Sequence, residues 1–382
     1  MRSEFEDQGE GSQTDLHRIE LRYLIKALLK FNASDLHIRA GRPPLFRVNG
    51  NLVPAKMEEL SQVQVEMLLK PILTEKTRAK LEADRQVDFS FGVAKVGRFR
   101  CNVYFQKGLI SAAIRMIPTA VPRLESLGLP SVIKDLCHQF QGLTLITGAT
   151  GSGKSTTLSA MIDEINRTES KHILILEDPI EFMHRDKKSM ITQRELGSDV
   201  VSLKEALRGG LRQDPDVIVI GELRDAETIQ AALLAAETGH LVLGTLHTRD
   251  AKSSVDRMIE VFPADARTQL RYQLAACLNA VISQQLIERL DRRSRVPACE
   301  VMIKSPTIET YIREYSLERI NDAIAGSNHY YQMQTMNQAL HRLVNAGAIS
   351  EEEALRSSTQ PEDLKLAFSG MVRGEGYLPK AS

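Results

Sequence analysis

Residues 148–156 read Gly-Ala-Thr-Gly-Ser-Gly-Lys-Ser-Thr and directly follow the apolar run at 143–147. They fit the phosphate-binding P-loop pattern G-x-x-x-x-G-K-[ST], placed between a predicted strand and the helical pattern of residues 157–165. The glycines allow backbone N–H groups to face phosphate oxygens, Lys154 supplies a positive charge, and the Ser155 hydroxyl is a ligand for Mg²⁺. A glycine-rich turn with no ligand is the alternative, and the flanking strand and helix count against it. The stretch therefore predicts a nucleoside triphosphate site.

The whole loop is expected to surround the phosphates, which would also lie at the N-terminus of the following helix. The residues predicted to bind the nucleotide are Gly148, Ala149, Thr150, Gly151, Ser152, Gly153, Lys154, Ser155 and Thr156. Within this set, Ser155 is also assigned to the metal.

Composition limits the class of protein. The 382 residues are enough for two domains, and the 49 basic residues balance the 49 acidic ones. Neutral charge and an aromatic content of 5% count against nucleic-acid binding.

The polar start lacks a signal-peptide core and no apolar run is long enough to cross a membrane, so no membrane insertion is expected. The four scattered cysteines contain no C-x-x-C pair, which counts against zinc and indicates a cytoplasmic protein with reduced thiols.

The first part of the chain predicts an α+β domain over residues 15–117, after a disordered tail at 1–14. An amphipathic helix is expected over 16–31, and the Asn49-Gly50 pair predicts a tight hairpin turn between strands at 45–48 and 51–53. The remaining elements are predicted as helices near 61–72 and 75–83 and antiparallel strands at 87–91, 97–106 and 109–117.

Proline and glycine at 118, 122, 128 and 130 predict an interdomain linker over 118–130. Beyond it, strands alternate with helices, which predicts an α/β domain with a mostly parallel sheet over 131–370. Its strands are expected at 143–147, 173–177, 217–221 and 241–246, with helices at 202–212 and 226–237. From about 250 onward the pattern is helical, and one long core-facing stripe is formed by Leu270, Leu274, Leu278, Val281, Ile282 and Leu286. Residues 371–382 are expected to form a flexible tail.

Acidic residues follow the predicted strand at 173–177, within Ile175-Leu-Glu-Asp-Pro-Ile-Glu-Phe182. Carboxyl ends of parallel strands face the ligand crevice of an α/β domain. Glu177 and Asp178 are therefore predicted to bind Mg²⁺, and Glu181 to align metal or water. A helix cap and a solvated surface are the alternative for this cluster.

A second acid, Glu222, follows the β-branched run Val217-Ile-Val-Ile220. Such a run predicts a strand buried on both faces, with the acid at its ligand edge in the manner of a Walker B motif. A buried acid without a partner would be costly, so a functional role is favoured. Glu222 is predicted to bind the metal or to activate water, and the general base stays open between Glu222 and Glu181.

Histidines flank the predicted strand at 241–246, with His240 before it and His247 at its end. Metal ligation lacks cysteine or carboxylate companions at the usual spacing. A packing or capping role is the second alternative. The third is phosphate sensing, because the strand is expected near the P-loop strand, and both histidines are carried forward as candidate catalytic residues.

Together, GATGSGKST, LEDPIEF, DPDVIVIGELRD and AETGHLVLGTLHT resemble the type II/IV secretion ATPase superfamily, and within it the PilT-like branch that drives type IV pilus retraction and twitching motility. The resemblance runs from residue 33 to about 367. It implies a PAS-like N-terminal domain, a RecA-like ATPase domain with C-terminal helices, and the names Walker A, Asp box, Walker B and His box for the four motifs. It also implies ATP and Mg²⁺ as ligands and hydrolysis of ATP.

The resemblance further implies a homo-hexameric ring at the cytoplasmic face of the inner membrane, acting on a pilus platform protein and beside a paralogous pilus ATPase. It implies that arginines on first-domain strands, Arg98, Arg100 and Arg115, reach the nucleotide of a neighbouring subunit. Residues 306–314 resemble the AIRNLIRE segment linked to retraction, with Thr307 and Glu309 departing from it. The absence of a four-cysteine motif favours the retraction branch over assembly and type II secretion relatives.

Three alternatives stay open beside a retraction motor. An accessory, PilU-like retraction ATPase or a secretion-type assembly ATPase would share all four motifs. A RecA-like nucleic-acid motor would share the core fold, against the neutral charge and scarce aromatic residues. The third is a scaffold subunit that binds nucleotide but barely hydrolyses it, which a phosphate-release assay would separate from an enzyme.

Overall fold

The structure is a computed structural model that describes residues 20–291 and 294–371. The chain divides into two compact units, Met1–Thr119 and Ala120–Ser382, so the division falls inside the predicted linker. The predicted tail at 1–14 lies outside the described residues, as does the predicted tail at 371–382 apart from Met371. No helix among the described residues is both long and apolar enough to cross a lipid bilayer.

The first unit is built on one antiparallel sheet of six strands in the order β3-β2-β1-β6-β5-β4. The strands are β1 Asp35–Arg39, β2 Leu45–Val48, β3 Asn51–Pro54, β4 Gln86–Val93, β5 Gly97–Gln106 and β6 Leu109–Met116. The helices are α1 Leu21–Lys30, α2 Gln62–Leu69 and α3 Glu75–Asp84, and a 3₁₀ turn Lys70–Ile72 follows α2. The predicted helices and strands of this unit are confirmed, and residues 16–19 of the first predicted helix lie outside the described part of the chain.

Local sequence explains these elements. Along β5, Phe99, Cys101 and Val103 alternate with polar residues and are fully buried, as expected for a sheet with one face on the core. Asn49 and Gly50 both have positive φ, which suits the tight turn of the hairpin. Ser61 and Gln64 form a capping box that starts α2.

The second unit contains a seven-stranded sheet in the order β13-β12-β7-β11-β10-β8-β9. Its strands are β7 Gly142–Thr147, β8 His172–Glu177, β9 Met190–Glu195, β10 Val217–Ile220, β11 Leu241–Leu246, β12 Leu278–Glu288 and β13 Arg295–Ile303. All neighbouring pairs are parallel except β12 with β13, which confirms the predicted mostly parallel sheet.

Helices surround this sheet. They are α4 Val132–Leu136, α5 Lys154–Thr168, α6 Leu203–Gly210, α7 Ala226–Glu237, α8 Ala251–Glu260, α9 Arg267–Cys277, α10 Pro306–Glu314, α11 Ile320–Ala325, α12 Asn328–Tyr331, α13 Met336–Asn345, α14 Glu351–Ser357 and α15 Pro361–Phe368. The central strands β7, β10 and β11 are buried at every position, so apolar clusters form on both of their faces. This arrangement fixes the carboxyl edge of the sheet as a rigid base for the loops that follow.

The predicted helical stripe from Leu270 to Leu286 is wrong beyond Cys277. Helix α9 ends there, and Leu278, Val281, Ile282 and Leu286 lie on strand β12. The apolar spacing fits a helix, yet the main chain continues as a strand because β12 pairs with β7 on one side and β13 on the other. A short apolar run is compatible with both the helical and the strand periodicity, and here pairing with the neighbouring strands decides for the strand.

The predicted linker is partly a packed segment of the second unit. Residues Leu124–Leu127 form a 3₁₀ turn, and Leu124 is buried against Ile133 and Leu158 in one apolar cluster. Lys134 of α4 also forms an ion pair with Glu125 at 2.8 Å. The segment after Ala120 is therefore held to the P-loop helix α5, since Leu158 lies on α5.

Candidate functional site

The candidate site lies at the carboxyl edge of the parallel strands β7, β11, β10 and β8. The P-loop follows β7, His247 follows β11, Glu222 follows β10, and Asp178 follows β8. Strands running in one direction place these ends at one edge, where open α/β sheets bind their ligands. The structure therefore brings together one residue group from each of the four predicted motifs.

The P-loop has the shape of a phosphate cradle. Gly153 caps α5 without a side chain, so the first N–H groups of the helix are not satisfied by a capping side chain. Gly148 has φ +140°, and a Cβ there would lie 2.4 Å from the Gln284 carbonyl oxygen. The buried Ser152 hydroxyl has no hydrogen-bond partner among the described residues. The N–H groups at the start of α5 and the Ser152 hydroxyl are therefore available as donors, and the space beside Gly148 stays open because glycine has no side chain. This arrangement fits a phosphate group.

Lys154 is folded back onto the loop it belongs to. Its Nζ donates to the carbonyl oxygens of Gly148 at 2.7 Å and Ala149 at 3.1 Å, and the residue is only 8% exposed. Burial lowers the pKa of Lys154, and the charge of Glu222 acts in the opposite direction. The ammonium group is thus held within the P-loop, where it can meet phosphate oxygens.

Glu222 is held between two basic side chains. Its Oε2 accepts from Nη2 of Arg224 at 2.8 Å, and its Oε1 lies 3.4 Å from Nε2 of His247. Burial opposes ionisation, but the bond and charge of Arg224, with His247, lower the pKa of Glu222 below its ordinary value. Arg224 also lies 3.4 Å from Asp178. Glu222 is therefore a charged carboxylate with a fixed orientation at the P-loop edge.

The Asp-box residues have different environments. Burial raises the pKa of Glu177 to about 7, although the Gln193 amide and the Glu181 N–H favour its charged form. Its Oε2 accepts from Gln193 at 2.7 Å and its Oε1 from the Glu181 N–H at 3.4 Å. Both oxygens thus help to hold the Asp-box loop, and the assignment of Glu177 to the metal stays a prediction. Glu181 itself is exposed.

The residues that fit Mg²⁺ are Ser155, Glu222 and Asp178. Among residues 20–291 and 294–371, no group of three His, Cys, Asp or Glu side chains converges as a complete metal site. Mg²⁺ bound with a nucleotide needs only one or two carboxylates, because phosphates and water supply the other ligands. The exposed Ser155 at the start of α5 and the oriented Glu222 meet that requirement.

The two histidines lie at opposite ends of strand β11, so the expectation that both lie near the phosphates is corrected. His240 precedes β11, and its carbonyl accepts from the N–H of Gly142 at the start of β7. A six-residue strand separates it from His247 by about 20 Å. His240 Nδ1 instead contacts the Ala235 carbonyl at 2.9 Å, which is the capping alternative. Only His247 reaches the P-loop edge within one chain.

Gln284 on β12 is a site residue that sequence reasoning missed. Its Nε2 donates to the Ser152 carbonyl at 2.8 Å, and its Oε1 accepts from the Thr157 hydroxyl at 2.7 Å. The side chain is buried and links the P-loop and α5 to the neighbouring strand. The polar Ser283-Gln-Gln285 interruption of an apolar run was the available signal, hidden by the helix assignment of that segment.

The three candidate arginines of the first unit lie on one face of its sheet. Arg98 and Arg100 are two positions apart on β5, and Arg100 is directly opposite Arg115 on β6. Nε of Arg115 donates to Asp35 at 2.7 Å, whereas Arg100 is exposed. Like charges directly opposite one another are unfavourable without an anion nearby. The predicted strand positions are confirmed, and their role stays a prediction.

The comparisons with known proteins agree with this site. The family described as "Type II/IV secretion system protein" matches residues 12–376. The chain belongs to this family. It is a P-loop ATPase of the type II/IV secretion family, with a mixed α/β fold in which an N-terminal domain precedes the ATPase domain.

Similar proteins cover the chain almost entirely. A type IV pilus retraction ATPase of Pseudomonas aeruginosa, PilT, is 44% identical over 345 residues, covering 90% of this chain and all of the relative. PilU, a type IV pilus ATPase of the same organism, is 37% identical, covering 91% of both chains. A crystal structure of the pilus retraction motor PilT with bound ADP matches with a TM-score of 0.85 and 44% identity, covering 91% of this chain and 99% of that one.

Proposed function

We propose that the chain is a hexameric, ATP-hydrolysing motor that powers type IV pilus retraction and twitching motility. The observation that carries the proposal is the 44% identity to a pilus retraction ATPase along that protein's full length. The similarity includes both structural units, so it extends beyond the P-loop that many ATPases share. A nucleic-acid motor would share only the ATPase core.

The site supports a division of tasks during hydrolysis. Lys154 and the P-loop N–H groups bind the phosphates, and Ser155 with Glu222 would hold Mg²⁺, which neutralises phosphate charge when bound. Glu222 or Glu181 aligns the attacking water, and His247 contacts Glu222 from the neighbouring strand. Water then displaces ADP from the terminal phosphorus, releasing inorganic phosphate and a proton.

The partners and the location of the protein are proposed from the same family similarity. We infer that six copies form a ring at the cytoplasmic face of the inner membrane, where it acts on the pilus platform protein. A paralogous pilus ATPase is a further expected partner. The arginine face of the first unit supports a shared site, because Arg98, Arg100 and Arg115 lie on one face of its sheet and the exposed Arg100 is directly opposite Arg115.

Pilus retraction in cells tests the proposed function directly. Cells lacking this protein should keep their pili and lose retraction, measured by imaging labelled pili, and the wild-type gene should restore it. The Lys154→Ala gene should not restore it, because phosphate binding at the P-loop would be weakened. Normal retraction in the deletion strain would contradict the proposal, while stimulation of the purified ATPase by DNA would favour the nucleic-acid class.

An accessory retraction ATPase is the second candidate, favoured by the 37% identity to PilU over 91% of the chain. The same imaging separates the two in a strain that lacks every other retraction ATPase. A principal motor alone should retract pili there. An accessory motor should do so only when its paralogue is returned.

The shared arginine site predicts rescue between inactive subunits. Arg100→Gln should lower turnover by about 10³-fold if the guanidinium acts across a subunit interface. Arg100 is chosen because it is exposed, whereas loss of Arg115 would remove the 2.7 Å ion pair to the buried Asp35 carboxylate and could alter the fold of the sheet. Mixing Arg100→Gln with Lys154→Ala subunits should restore part of the activity, measured as phosphate release, because some interfaces then pair an intact P-loop with an intact Arg100.

Lys95→Gln, in the exposed turn before β5, is the matched control and should not lower turnover. Specific activity of the wild type should rise with protein concentration until rings assemble. Concentration-independent activity, together with no rescue in the mixture, would contradict a shared site and leave a self-sufficient subunit.

A further inference from the structure

A cavity of about 890 Å³ opens beside the P-loop within the second unit. It is lined by the P-loop turn Gly148–Ser152, by Arg249 from the segment after β11, and by residues from the ends of β12 and β13 and from α14. The nucleotide phosphates bound by the P-loop would therefore share this space with the Arg249 side chain.

Arg249 differs from the other two arginines that line the cavity. Arg295 is directly opposite Glu288 on the β12–β13 ladder, and Arg356 lies 3.9 Å from Glu353 on the same helix turn. The Arg249 side chain is exposed and makes no hydrogen bond or ion pair with any residue in 20–291 or 294–371. Among the three arginines of this cavity, Arg249 is the one with neither an ion pair nor a cross-strand acid within residues 20–291 and 294–371.

The backbone of Arg249 is held in place on both sides. Asp250 forms a capping box with Ser253 at the start of α8, and the Thr248 hydroxyl bonds that of Ser254 at 2.6 Å. The buried Glu300 carboxylate on β13 accepts from the N–H of Ala251 at 2.7 Å. A fixed main chain therefore carries an exposed side chain that lines the cavity and has no partner among the described residues.

We propose that Arg249 is a further catalytic residue, which contacts the terminal phosphate of ATP within its own subunit. Two positions before it, His247 lies 3.4 Å from Glu222, so this segment already borders the site of hydrolysis. Lys154 is bonded to the loop carbonyls, whereas the Arg249 guanidinium at the same cavity has no partner among the described residues. A guanidinium forms paired hydrogen bonds with phosphate oxygens.

The chemistry needs such a group as the reaction proceeds. The water oxygen bonds to the terminal phosphorus while the bond to the β–γ bridging oxygen breaks, and ADP, inorganic phosphate and a proton leave. Charge on the departing and terminal oxygens changes during this step, and a nearby guanidinium stabilises it. This inference rests on ATP hydrolysis at the P-loop and is independent of pilus retraction.

Arg249→Gln should reduce kcat by about 10- to 100-fold in phosphate-release assays on the purified full chain. The same variant should weaken binding of a slowly hydrolysed ATP analogue about 10-fold and leave ADP binding within about twofold, because only ATP carries the terminal phosphate. Arg249→Lys should recover only part of the loss, since a point charge replaces the two-pronged guanidinium.

Arg356→Gln is the matched control, because it removes the same charge from an arginine that lines the same cavity but is paired with Glu353 on α14. Its turnover should stay at the wild-type level. Wild-type turnover of Arg249→Gln, or an equal loss of affinity for ATP and ADP, would overturn the proposal. Since Lys154→Ala would still be inactive in that case, failure of the Arg249 inference and failure of the ATPase assignment are distinguishable.

Discussion

Lys154→Ala should lower ATP turnover by at least about 100-fold, equivalent to about 2.7 kcal/mol of transition-state stabilisation. The Lys154 ammonium is the cation held inside the P-loop, where its partners are the carbonyls of Gly148 and Ala149. Negative charge that develops on the transferred phosphate during hydrolysis would lose its nearest compensating group. The measurement is phosphate release by purified protein at saturating ATP and Mg²⁺.

Lys365→Ala is the control for this change. Lys365 lies on α15 in an exposed i,i+3 ion pair with Glu362, and such pairs contribute little to stability. Turnover close to wild type in Lys154→Ala would contradict the assignment of the P-loop as the hydrolytic site. A thermal unfolding midpoint near that of the wild type would show that the loss is chemical rather than a failure to fold.

Glu222→Gln should keep ATP binding and lose turnover by about 10²- to 10⁴-fold. The amide preserves the shape of the side chain but removes the charge that Arg224 at 2.8 Å and His247 at 3.4 Å now orient. Alignment of metal or water would fail, while the P-loop contacts to the nucleotide stay in place. Fluorescent-nucleotide binding and phosphate release on the same sample separate the two effects.

Glu227→Gln is the matched control, because Glu227 lines the same cavity of about 350 Å³ as Glu222. Its carboxylate is exposed and pairs with Lys204 at 2.7 Å, so its loss should leave turnover unchanged. If Glu222→Gln loses nucleotide binding as severely as turnover, then Glu222 has a folding role at the sheet edge and the catalytic assignment is wrong.

Much of the architecture could be predicted from sequence because local patterns and tertiary structure agree there. The strands predicted at 143–147 and 241–246 are rich in apolar residues, since both faces are buried, and they differ from the observed bounds by at most one residue. The P-loop motif carries its own backbone geometry, and each acid follows a recognisable strand. In these places a short window contains the information that determines the structure.

Other features depend on contacts between residues far apart in sequence. Strand β12 has helical spacing and becomes a strand through pairing with β7, so the role of Gln284 could not be seen. The separation of His240 from His247 follows from strand direction in the sheet. The difference between Arg249 and the other two arginines of its cavity depends on the acids beside Arg295 and Arg356, and no sequence motif records those pairings.

The hydrogen bonds of Gln284 to Ser152 and Thr157 limit the substitutions that the P-loop can accept during evolution. A Cβ at position 153 would lie 2.6 Å from Nε2 of Gln284, and φ there is +91°. Shortening Gln284 to make room would leave the Thr157 hydroxyl and the Ser152 carbonyl without their partner. Neither position can be altered first without a cost, so Gly153 and Gln284 form an epistatic pair. We therefore expect substitutions at Gly153 and Gln284 to be coupled during evolution, although 131 positions separate them in the sequence.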